Sequence, residues 1–292
     1  MSRLHEMMDE IERQRRRGNF KGAENLAKLE MKEYELQGNT PYYNFYRGFL
    51  WYLYDFPFDA MVHFNNSLLT EDRDMFYVHK FKGVVNLENG KYDEAIEAFE
   101  DAMKLVSTEA DTISILNSLG NAYLRAGNTQ RALELYSEAL QLSYDHDLDE
   151  WTQITLSNIG VAHVNMGDYK GSLKFFEDAL DLARALDDAR GERICLNNLA
   201  GVLNNMGQRE DALELFMEAL KKASQIGDKY GMRVAYTNLG YTYRLLDDLD
   251  KAMEYYKKAL DQAREIGDRP GEAMAQYWIN SLREGQKRFV AP

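Results

Sequence analysis

A chain of 292 residues, 45% hydrophobic and 28% charged, has the balance of a folded globular protein and is long enough for one extended domain or two ordinary ones. Its formal net charge of −13 excludes the basic footprint that nonspecific binding to nucleic acid or to an anionic membrane requires. One cysteine, Cys195, excludes an intramolecular disulfide framework and fits a reducing compartment, while only 4 prolines beside 20 glycines favour helices throughout.

The N-terminus is charged from Arg3 onward and has no apolar core of signal-peptide length. No run approaches the roughly 18 apolar residues of a membrane span, so a cytoplasmic protein without membrane insertion is expected. Residues 1–38 read as a degenerate helix pair that turns at Gly18, with Ala23 in its second helix. The cluster Arg13, Arg15, Arg16 and Arg17 stands at the C-terminal end of the first helix, where cations meet the helix dipole. Thr40 and Pro41 then read as an N-cap followed by proline in the first helical position.

Residues 41–106 read as two aromatic-rich repeats. The first carries Gly48, a turn at Asp55, Ala60 and Phe64, with Pro57 expected to stop its first helix; the second carries Gly83, Gly90, Ala95 and Phe99. Residues 109–268 then write one pattern four times at a spacing of 40. Gly120, Gly160, Ala200 and Gly240 hold one column, Gly127, Gly167, Gly207 and Asp247 the next, and Leu140, Leu180, Leu220 and Leu260 close each unit. A fixed period means that neighbouring units cover one another's apolar faces, which produces a solenoid. Residues 270–284 match a first helix without its partner and read as a capping helix.

Within a unit, Gly120, Tyr123, Gly127, Ala132, Tyr136 and Ala139 give small-x-x-aromatic, a turn, then Ala-x-x-x-aromatic-x-x-Ala. This resembles the tetratricopeptide (TPR) pattern. The 40-residue form, with loops such as SQIGDKYG and REIGDRPG, is similar to the Pins-type adaptors and the kinesin light chains. The resemblance implies an all-α TPR solenoid over 1–292, a right-handed superhelix of about seven antiparallel helix pairs plus the capping helix. Its implied function is non-enzymatic: a scaffold or adaptor that binds a protein or peptide segment in a concave groove. The extra length over a usual repeat falls between one helix pair and the next, and reads as an extended second helix ending at an acidic, Gly-bearing loop. The clamp by which some TPR domains grip chaperone tails is not matched, because the best frame for its five positions, Asn117, Asn121, Asn158, Ile194 and Asn198, lacks both lysines and the arginine.

Helical spacing selects the groove-lining residues as those six and two before, and one and five after, the close-contact column. They include Asn158, Asn198 and Asn238, with Asn121, Asn165, Asn205, Arg125 and Tyr241. Asparagine disfavours helix interiors, and each of its amides both donates and accepts, so a ladder of them suits the backbone of an extended peptide. In the resembling family, asparagines matching Asn158, Asn198 and Asn238 contact ligand backbone. Solvation of the surface, or bonds to neighbouring helices, is the alternative. Tyr42, Tyr46, Phe49, Tyr77 and Phe81 either supply apolar pockets or pack a thick core, and a homo-oligomer contact through these rings or through the array ends is the competing structural reading. Arg193, Arg233 and Arg244 are also expected near the groove.

No catalytic, cofactor or metal motif stands out. The histidines His5, His63, His79, His146 and His163 lack paired ligand spacing, and there is no phosphate-binding glycine loop or nucleophile elbow. Acidic runs such as Asp145 to Glu150 and Asp187–Asp188 read as solvated loop charges.

Overall fold

The computed structural model describes residues 3–16, 20–53, 57–67 and 72–290, and among these it has fifteen α-helices and no strand. The chain forms two compact units, Met1–Met166 and Gly167–Pro292. The first holds α1 (Arg3–Arg16), α2 (Phe20–Leu36), α3 (Thr40–Leu53), α4 (Pro57–Asn66), α5 (Asp72–Glu88), α6 (Tyr92–Met103), α7 (Glu109–Arg125), α8 (Thr129–Asp145) and α9 (Asp149–Asn165). The second holds α10 (Tyr169–Ala185), α11 (Ala189–Asn205), α12 (Arg209–Gln225), α13 (Lys229–Leu245), α14 (Leu249–Ile266) and α15 (Arg269–Val290). The turns assigned to Gly18 and Asp55, and Arg17 of the basic cluster, lie outside the described residues. Pro57 opens α4, where its missing N–H belongs to the unbonded first turn.

From α7 to α13 every helix is 17 residues long, and three residues separate each from the next. The second helices are thus extended as expected, and the loop that follows each is short. Of Ser143 to Glu150, only His146 to Leu148 is turn; Ser143 to Asp145 ends α8, and Asp149 opens α9. The backbone reason is one motif used twice per repeat. The middle turn residue takes a left-handed φ, as at Gly127, Asp147, Asp187, Gly207, Gly227 and Asp247. The N–H after it reaches back to a carbonyl of the last helical turn, as in Asn128 to Tyr123 at 2.8 Å and Leu148 to Ser143 at 2.9 Å. The same residue then caps the next helix: Asn128 Oδ1 accepts from Arg131 N, and Asp228 Oδ1 from Gly231 N.

Helix pairing is set by a glycine and a ring. A Cβ on Gly120 would lie 2.3 Å from Cε1 of Tyr136, and one on Gly83 2.5 Å from Cε1 of Phe99. The ring of each second helix thus lies directly on the glycine of the first. In the first unit the core is aromatic: Phe81 meets Phe49 at 5.0 Å and Phe64 at 6.0 Å between ring centroids. Helix α1 adds a fully buried stripe, Leu4, Met8 and Ile11, at helical spacing. It also reaches α5 through Glu12–Lys80 at 2.9 Å and Tyr77–Asp9 at 3.2 Å. The core of the second unit is built from alanines closing on Phe216 and Tyr256, with Trp278 of α15 stacked on Tyr256 at 5.9 Å. No described helix is long and apolar enough to cross a membrane.

Candidate functional site

In the second unit the face to consider belongs to the first helices α11, α13 and α15. Asn198 and Asn238 occupy one column and are both half-buried, and Asn205 is exposed at the end of α11. The Asn238 amide donates to Asn197 Oδ1 at 3.0 Å, which ties α13 to α11 and fixes the amide's orientation. One helical turn further along α13, Tyr241 is 37% exposed. In α15 the position matching Asn198 and Asn238 is Trp278, whose ring lies 6.2 Å from that of Tyr241 at an interplanar angle of 63°. The Arg244 guanidinium carbon lies over both rings, 5.0 Å from Tyr241 and 4.9 Å from Trp278. Below it the Tyr256 hydroxyl is pushed up to about 12, chiefly by burial and against the pull of Arg244.

Arg193 and Arg233, expected near the groove, are engaged in buried ion pairs. Arg193 Nε stands 3.0 Å from Asp228 Oδ2, and Arg233 Nε 2.8 Å from Asp268 Oδ2, with both arginine side chains buried. Each pair joins one first helix to the capping aspartate of the next. Gly231 and Gly271 leave room for it: a Cβ on Gly231 would lie 2.8 Å from Arg193 Nε, and one on Gly271 2.8 Å from Arg233 Cδ.

In the first unit the amides are also tied across helices. Asn158 donates to Asn117 Oδ1 at 2.8 Å, and Asn117 donates to Ile113 O at 3.0 Å and Thr155 Oγ1 at 2.8 Å. Asn121 Oδ1 accepts from the Tyr136 hydroxyl at 2.7 Å. Asn165 and Arg125 are exposed at helix ends, Arg125 reaching Leu87 O at 3.5 Å. The apolar pocket expected from the N-terminal aromatics gives way to core. Tyr46, Phe49, Tyr77 and Phe81 are all at most 2% exposed, because the helices bring their rings onto one another. Tyr42 is half-buried, stacks on Tyr34 at 4.8 Å and donates to Asp74 Oδ2.

The family model of the tetratricopeptide repeat matches residues 74–145, 151–225 and 192–265. The chain belongs to the tetratricopeptide repeat family. Photosystem I assembly protein Ycf3 of Prochlorococcus marinus (strain NATL1A) is 33% identical over 64 residues, which is 22% of this chain and 37% of that protein. The match thus spans little more than a third of that curated relative. Among solved structures, a Rap protein complexed with Competence and Sporulation Factor superposes with a TM-score of 0.71 at 17% identity, covering 96% of this chain and 87% of its own. Kinesin-light-chain-like TPR repeats from Podosopora anserina superpose with a TM-score of 0.53 at 15% identity, over 68% of this chain and 100% of theirs. At these identities the likeness is one of fold, that of a TPR solenoid.

Within the TPR frame, Trp278 escaped the sequence reading: it sits in the amide column but in a helix read only as a cap. The signal was present in Trp278, since an indole in a column of asparagines is a change of chemistry at fixed geometry.

Proposed function

We propose that this TPR protein is a non-enzymatic adaptor whose first-helix faces bind a segment of another protein. The observation that carries the reading is the recurrence of half-buried asparagine amides at one helix position, Asn158 in the first unit and Asn198 and Asn238 in the second. The inter-helix bonds of Asn158 and Asn238 use one N–H each and hold the amide plane, which leaves the carbonyl oxygen and the second N–H for a peptide backbone. A Rap protein of like fold has been seen complexed with Competence and Sporulation Factor, which supports a TPR stack of this kind as a holder of a bound partner. The competing reading, self-association through the aromatic N-terminal half or the array ends, draws no support from Tyr46, Phe49, Tyr77 and Phe81, which are core residues. A single thiol, Cys195, buried in α11, suits work in the reducing cytoplasm.

The test is affinity capture from lysate of the source cell, wild type beside the triple variant Asn158→Ala, Asn198→Ala, Asn238→Ala, with circular dichroism to verify unchanged helicity. A protein retained by wild type and lost by the variant is the expected result. Equal retention by both forms overturns the amide reading.

A further inference from the structure

We propose that a cavity in the first unit seats a cationic group of the bound segment, on Asp111 and Ser114 of α7; this rests on the peptide-binding reading above and names what the first unit selects. The cavity, of about 150 Å³, lies where the first helices α1, α5, α7 and α9 converge. Its own cations are already engaged. Lys80 of α5 faces Glu12 of α1 at 2.9 Å, and Arg13 turns to Glu10 at 2.7 Å. Asp9, also on α1, accepts from the Tyr77 hydroxyl at 3.2 Å.

Two groups on α7 keep acceptor capacity to spare. Asp111 is 7% exposed; its Oδ2 accepts from the Thr108 hydroxyl at 2.9 Å, and it meets no cation among the described residues. That bond belongs to the helix cap and leaves Oδ1 open. Ser114 is also 7% exposed and lines the same cavity. Its carbonyl accepts from Ser118 Oγ at 2.8 Å, but its hydroxyl has no hydrogen bond among the described residues. Asp111 and Ser114 stand three apart, hence on one face of the helix. A nearly buried carboxylate beside a nearly buried hydroxyl is completed by N–H donors that carry positive charge.

The neighbouring phenol reports the sign of the field. The Tyr77 hydroxyl is held above its ordinary value, chiefly by burial and then by Asp9, Glu12 and Asp111, so the cavity favours a cation and repels an anion. Trp151 of α9 adds a half-buried ring to the wall, a surface for the methylenes of a basic side chain. The volume is that of about five water molecules, room for an ammonium or guanidinium with its nearest methylenes. The cation is either a Lys or Arg side chain or the free N-terminus of the segment, and the experiment separates the two.

The probe is an array of short random-sequence peptides, made once with free and once with acetylated N-termini, and incubated with full-length wild type, Asp111→Asn and Ser114→Ala. Wild type is expected to retain peptides sharing a Lys or Arg at one position, or peptides lost on acetylation. Replacing that Lys or Arg with Gln, or acetylating the terminus, should weaken binding to wild type about tenfold or more. Asp111→Asn keeps an acceptor for Thr108 and removes the charge; it should still retain peptides, without the basic requirement. Ser114→Ala is expected to weaken the basic peptides about threefold to tenfold; it also serves if the asparagine variant does not fold. Two results overturn the cavity and leave the adaptor reading standing: retained peptides with no basic group in common, or a basic requirement unchanged in Asp111→Asn with full affinity in Ser114→Ala. Wild type retaining no peptide overturns the cavity as well, and the adaptor reading then stands or falls on the lysate capture.

Discussion

Two glycines seven residues apart do opposite jobs. Gly120 has ordinary helical backbone but no room, since its Cβ would meet Tyr136 at 2.3 Å; Gly127 has open space around it but a φ of +88°. Gly120→Ala should therefore destabilise by about 1–3 kcal/mol through overpacking, and Gly127→Ala by about 1–2 kcal/mol through the backbone alone, both read from urea unfolding. The two mechanisms separate in a double change: Tyr136→Leu should relieve the first loss and leave the second. Asp247 holds the slot of Gly127 at a φ of 62°, so Asp247→Gly is expected to stabilise by roughly 1 kcal/mol in the same assay. Spacing made both glycine columns legible in the sequence. It could not show that a ring sits on one of them, because a periodic small residue records that something is close and not what it is.

Between elements, the Arg193–Asp228 and Arg233–Asp268 pairs bind each first helix to the next. Removing one partner strands a buried charge, so Asp228→Ala should lower stability by about 3–5 kcal/mol, and Arg193→Met in that background should recover part of the loss. Equal stability of the single and double variants in guanidinium unfolding would mean that the aspartate acts only as a helix cap. These pairs were hidden in the sequence, where the loop acids read as solvated, because each arginine lies 35 residues upstream of its aspartate and only the folded repeat brings them together. The seam between α5 and α6 carries a titrating counterpart. Burial, the largest influence, lowers the proton affinity of His79 below its ordinary value of 6.5, opposed by Asp101 and aided by Lys82 and Lys104. The unfolded chain therefore takes up the proton first as pH falls. Stability is fully present above about pH 6.5 and declines as pH drops through the lowered folded value; His79→Gln should flatten that part of the melting-temperature profile.

At the scale of the molecule, the period foretold the architecture because a repeating apolar face admits few other solutions. Its ends are less legible, and α15 shows why. Where α13 presents Tyr236, Gly240 and Tyr243 to the rings of α14, α15 presents Gln276, Asn280 and Arg283. Asn280 accepts a hydrogen bond from Gln276 at 3.0 Å on an exposed surface. That face is polar, with Asn280 and Arg283 exposed. Changing the three to Tyr, Gly and Tyr should create a seat for another chain's helix and raise the scattering mass with concentration above that of wild type. The even measure of helix and three-residue turn has a mechanical side as well. A chain whose segments hold only their neighbours, and whose segments are of equal length, yields to a pull from its ends in equal instalments. Each 40-residue repeat released would lengthen the tether by roughly 130–140 Å before its folded span is subtracted, so a force–extension trace of the strict region should read as a ruler with evenly spaced marks.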